Sequence, residues 1–232
     1  MNNMYNPDSV AIKKGPLAVI AFALLSGLLG PINFSGVWWL YGVFSIVLLM
    51  LMVYLIYRCE RFTAYTLSMS IVGISSLAFA ASGLAYIVVF DDLNRSRGEA
   101  ATLGFFMFLA VSGVYALVYF TKSKAFPFLI SGNKVSPVKV RSTNISAGLV
   151  SGVGTLVSAA FINATTQLTS GIVAAVGLFF ACIALLIYDR DSIRGLRILR
   201  VKERKMSEPF TFSGIDEIRE ARSRWLLGRL FK

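Results

Sequence analysis

Seven cations, Arg190, Arg194, Arg197, Arg200, Lys202, Arg204 and Lys205, crowd into 16 consecutive positions. Guanidinium and ammonium groups at this density bind anions: phosphodiesters, carboxylates or an acidic protein surface. A second basic group, Lys122, Lys124, Lys134, Lys139 and Arg141, lies in a stretch without an acid. Elsewhere reactive chemistry is sparse. The absence of histidine removes Ser–His and Cys–His catalysis and most zinc sites. The two cysteines, Cys59 and Cys182, are predicted at different depths, so no disulfide is expected, and no metal or cofactor site either. Ser68, Ser70, Ser75, Ser76 and Ser82 cluster within 15 positions. With no base beside them they could line a polar path, or simply bond the carbonyl one turn back.

The reason for the sparseness is the rest of the chain. Hydrophobic residues make up 56% and charged residues 15%, where a soluble domain carries about a quarter charged. Four runs, 15–57, 62–90, 100–121 and 142–188, contain no Asp, Glu, Lys or Arg. About 30 Å of hydrocarbon at 1.5 Å per residue calls for roughly 20 apolar residues per helix. The two middle runs hold one span each, and the two outer runs hold two. Gly30, Pro31, Asn33 and Gly36 break the first run, and the polar cluster 163–167 breaks the last. The reading is an all-α polytopic membrane protein with six transmembrane helices, over 16–32, 36–57, 64–90, 100–120, 145–162 and 168–188. Residues 1–15 form an N-terminal segment, 121–144 a basic loop within the 16–188 bundle, and 189–232 a basic tail. Lys13 and Lys14 before an apolar run resemble a signal peptide, but no A-x-A site follows, so an uncleaved span is expected.

Orientation follows from counting. With both termini cytoplasmic, 21 of the 23 basic residues fall inside, and only Arg95 and Arg97 fall outside. The positive-inside rule selects that topology and a plasma membrane, of the bacterial inner type. Trp38, Trp39 and Tyr41 sit at the outer edge of the second span, where amphipathic rings prefer the headgroup level. No span carries Asp, Glu, Lys or Arg, which excludes proton relays, voltage sensors and paired-aspartate proteolysis. Four N-x-S/T sequons, at Asn33, Asn94, Asn144 and Asn163, read as chance matches.

Small residues recur at helical spacing: Gly148, Gly152, Thr155 and Ala159 in the fifth span, and Gly73, Ser76, Ala80 and Gly83 in the third. Such faces let membrane helices approach closely, within one bundle or between subunits. The second span, rich in Leu, Val, Met and Tyr, is expected to face lipid. The short runs 128–130 and 135–140 around Ser131-Gly132-Asn133 suggest a hairpin. In the tail, Phe210-Thr211-Phe212 suggests a strand. Ser213 is expected to cap an amphipathic helix with Asp216 as capping-box partner, and Ile215, Ile218, Arg222 and Trp225 share one face.

These features point to a non-enzymatic membrane subunit that packs or oligomerises through small-residue faces. Its loop and tail would meet anionic headgroups or an acidic cytoplasmic protein through Lys134, Lys139, Arg141, Arg190, Arg194, Arg197, Arg200, Arg204 and Trp225. A multi-protein system of secretion, defence or immunity type fits such a subunit. Nucleic acid is disfavoured, because no aromatic-basic module is visible. The alternative is an oligomeric pore for ions or small neutral solutes along the serine-rich third span.

Overall fold

The computed structural model describes residues 7–122, 126–138 and 166–225. Its elements are α1 (Ser9–Gly27), α2 (Leu29–Asn33), α3 (Trp38–Tyr57), α4 (Phe62–Ile87), α5 (Arg97–Phe120), β1 (Phe128–Ser131), β2 (Lys134–Pro137), α6 (Gln167–Tyr188), α7 (Arg190–Glu203), β3 (Thr211–Phe212) and α8 (Ile215–Arg224). With α1 and α2 counted together, five helices are long and apolar enough to cross a membrane. The expected span 145–162 lies outside the described residues, with its Gly148, Gly152, Thr155 and Ala159. So do Lys139, Arg141 and 226–232.

Helix starts are set by side chains that meet free N–H groups. The first helix begins well before Pro16, because Asp8 Oδ1 accepts from the Ala11 N–H at 2.6 Å; Pro16 is carried inside it. Lys13 and Lys14 therefore ride on α1 rather than preceding it. Ser96 and Glu99 form a capping box at α5, and Thr166 caps α6. The first break comes at Leu28 and again at Phe34, so Gly30 and Pro31 sit within α2 instead of a loop. Beyond Ile87, α4 continues as a π turn, Val88–Asp92.

In the bundle α4 is central, packed on α1, α5 and α6. Against α5 the backbones meet: a Cβ at Gly104 would lie 2.9 Å from the Ser82 carbonyl oxygen. A Cβ at Gly83 would lie 2.7 Å from the Leu29 side chain. Along α3 only Leu48, Leu55 and Ile56 are buried; Trp38, Trp39, Val43, Val47 and Met50 are exposed, as a lipid-facing helix requires.

At one end of the bundle the loop and tail fold together. Strands β1 and β2 pair antiparallel, Phe128 opposite Pro137 and Ser131 opposite Lys134. The turn between them needs Gly132, whose φ is +63°. From the tail, β3 joins β2 in parallel, Val135 opposite Phe212. Under this three-stranded sheet lies an aromatic core. Phe62 meets Phe128 at 5.5 Å and Phe212 at 5.7 Å between ring centroids, and Tyr65 meets Phe212 at 5.3 Å. Leu196, Leu199, Phe210, Ile215 and Ile218 complete it.

Candidate functional site

The tail returns to the bundle to finish helix ends that lack partners of their own. The Phe62 N–H, at the start of α4, donates to the Phe210 carbonyl at 2.8 Å. At the end of α3, Arg222 Nη2 donates to the Leu55 and Cys59 carbonyls at 3.3 and 2.9 Å. At the end of α5, Arg197 Nη1 donates to the Phe120 carbonyl, and its guanidinium lies 5.3 Å from the Phe120 ring centroid. A helix C-terminus presents unpaired carbonyls and the negative end of the dipole, so cations belong there. Arg222 is 6% exposed, and burial lowers its pKa from the ordinary value.

Ion pairs add to these caps. Glu203 is buried and accepts from Arg61 Nε at 3.2 Å and from the Thr63 hydroxyl. Arg219 donates twice to Glu60, at 2.9 and 2.7 Å. Lys134 Nζ reaches Asp216 at 2.9 Å. That bond corrects the expected capping box. The N-cap of α8 is Gly214, with no side-chain bond, because the Asp216 carboxylate gains a charge-assisted bond to lysine from another element. Trp225 is likewise held within the molecule, edge-on to Tyr57 at 5.8 Å and 5.5 Å from the Lys13 ammonium.

Two carboxyls give the cap a pH dependence. The hydrogen bonds from Arg219 hold Glu60 below its ordinary value. Its contribution is present above about pH 4.3 and is lost as the pH falls through the lowered value. With Asp189 replaced by Asn, protease cleavage of the tail is expected to stay constant down to about pH 5 and to rise below it. The Glu60→Gln variant should show the looser tail already at neutral pH; a tail as protected as wild type would contradict this. Asp189, between α6 and α7, is pushed up to about 6 by burial. The folded state favours its neutral acid, so stability is full below about pH 3.9 and is lost as the pH rises through about 6. Asp189→Asn should melt higher than wild type near neutral pH, with the gap closing in acid; equal melting at both pH values would refute the assignment.

The residues singled out by spacing divide clearly. Arg190, Arg200 and Arg204 are exposed, whereas Arg197 and Trp225 are engaged with α5 and with α1 and α3. Gly73, Ser76, Ala80 and Gly83 lie on α4, with Ser76 and Ala80 buried. Ser76 and Ser82 donate to the Val72 and Ala78 carbonyls, one turn back. Glu203 and Gly104 escaped the pattern reading. The spacing of Arg222 with Ile215 and Ile218 hinted that it is buried, but nothing local names the helix ends it meets.

Away from the cap, α1, α2, α3 and α4 enclose a lipid-side cleft of about 590 Å³. Ala23, Gly30, Phe44, Leu48, Val72 and Phe79 are among its lining. The Ser26, Ser76 and Tyr41 hydroxyls at its wall already donate to the Ala23, Val72 and Leu24 carbonyls. Among the described residues, no group of three or more His, Cys, Asp or Glu could hold a metal ion. Compared with family models, curated proteins and solved structures, the chain matches none.

Proposed function

We propose that the chain is a non-enzymatic integral membrane subunit that carries a folded basic platform on its cytoplasmic end. The observation that carries this reading is the shared core of loop, tail and bundle base, in which the Phe62 ring meets those of Phe128 and Phe212 edge-on. Such a platform holds a docking surface rigid relative to the spans, which lowers the entropy cost of recruiting a partner. The partner is an acidic cytoplasmic protein, or further membrane subunits or copies of the chain, in a system of secretion, defence or immunity type.

Six spans with both termini cytoplasmic belong to this reading. Val138 lies with the cap, its N–H on the Pro127 carbonyl at 2.8 Å. α6 starts near the other end, where a Cβ at Gly171 would lie 3.4 Å from the Asp92 carboxylate. The sixth span of this reading, 145–162, lies outside the described residues. The pore alternative draws its path from the α4 serines. Ser76 and Ser82 spend their hydroxyls on their own helix, which favours packing over conduction.

Purification of the full chain in mild detergent tests the proposal. A complex of fixed stoichiometry, with itself or with another subunit, is expected, and loss of the tail from residue 207 onward should dissolve it. A strictly monomeric particle, indifferent to that deletion, would refute it.

A further inference from the structure

Positive charge is unevenly compensated across the cap. On the α8 side, Lys134, Arg219 and Arg224 each meet a carboxylate, those of Asp216, Glu60 and Glu220. On α7, Glu203 turns inward to Arg61 and Thr63. Asp191 is then the acid left on that helix, 3.8 Å from Arg190 and 3.7 Å from Arg194, beyond hydrogen-bond distance. Arg190, Arg194 and Arg197 recur at i, i+4 and i+7, which at 100° per residue gathers them within about 60° of arc. Leu196, Leu199 and Glu203, on the opposite side, are buried.

Two observations define what this arc meets. The first is its position. Arg197 is bonded to the Phe120 carbonyl and stacked on its ring, and Phe120 and Leu117 are 65% and 69% exposed on the last turn of α5. Arg197 therefore borders a lipid-facing helix where it leaves the hydrocarbon, and Arg190 and Arg194 share its arc of α7. The second is unspent hydrogen-bonding capacity. Arg194 Nε is buried without a hydrogen-bond partner among the described residues, and Arg197 commits one of five N–H donors to Phe120.

We propose that this α5–α7 corner binds an anionic phospholipid, its phosphodiester held by Arg190, Arg194 and Arg197 and an acyl chain lying along Leu117 and Phe120. Guanidinium forks match phosphate oxygens, and the apolar half of the site selects a lipid over an acidic protein. The site goes beyond the platform reading: it uses the lipid-side face of α7, and it stands whether or not a protein partner exists.

The test uses purified full-length chain in neutral detergent, with phosphatidylglycerol, phosphatidylcholine or inorganic phosphate added. Lipid retention is read by native mass spectrometry and stability by thermal midpoint. Phosphatidylglycerol is expected to be retained and to raise the midpoint; phosphatidylcholine and inorganic phosphate are not. R190Q/R194Q should weaken phosphatidylglycerol retention about thirtyfold, the product of two lost headgroup charges. R204Q/K205Q, which removes the same charge beyond the arc, should retain it as wild type does. L117N should weaken retention while leaving the arginines in place. Where the R190Q/R194Q tail becomes protease-sensitive, R190Q alone decides, with about a fivefold loss expected. Equal retention of the two lipids, wild-type retention by R190Q, or full substitution by inorganic phosphate would each overturn the site.

Discussion

Phe212→Ala is expected to release the tail from the bundle while the spans stay folded. Phe212 is 1% exposed and sits between Phe62 and Tyr65, at centroid distances of 5.7 and 5.3 Å. Truncating a buried phenylalanine costs about 3–5 kcal/mol, through lost transfer energy and the cavity left behind. The two-residue strand adds only a few backbone bonds of its own to that burial. Its parallel pairing to β2 covers only Lys134 with Thr211 and Val135 with Phe212. Limited proteolysis should cut the variant within the tail many times faster than wild type, with unchanged helical circular dichroism. Leu129→Ala, at a residue 60% exposed, serves as the matched control and should change little. A Phe212→Ala tail as protected as wild type would mean that this core does not hold the cap.

The second large effect belongs to Gly104. Its missing side chain is occupied by the neighbouring helix: a Cβ would stand 2.9 Å from the Ser82 backbone oxygen. A backbone carbonyl inside a helix cannot turn away, so α4 and α5 must separate. Overpacking of this kind costs about 1–3 kcal/mol. Gly113, on the same helix, has nothing within 4 Å of its added Cβ. Alanine there relieves the entropy cost of glycine and should be neutral or stabilising by up to about 1 kcal/mol. Gly104→Ala should therefore melt lower than wild type in detergent, and Gly113→Ala the same or higher. Coincident melting of the two variants would rule out a close α4–α5 contact at this point.

The limits of pattern reading can be seen residue by residue. Runs without charge mark membrane-spanning helices, since both features follow from the composition of one short segment. Helix starts shifted where a single polar side chain intervened, as Asp8 does for α1 and Ser96 for α5. The capping box at Ser213 and Asp216 followed a good local rule and failed, because Lys134, 82 positions away, offered Asp216 a stronger partner. The cationic cluster after α6 looked uniform in one dimension. In three, Arg197 finishes α5, while Arg190 keeps its side chain 55% exposed.

Insertion into lipid was legible in the linear chain, because leaving a charge or an unpaired peptide group in hydrocarbon is costly wherever the rest of the protein lies. What the basic tail rests on was not. Its apolar face could have been satisfied by headgroups, by another protein or by its own bundle, and local spacing is the same for all three. The choice fell to contacts between distant segments: Arg222 with Leu55 and Cys59, Glu203 with Arg61 and Thr63, Phe212 with Phe62. Such contacts exist only once the spans have brought their ends to one side, and so the folded bundle decides them.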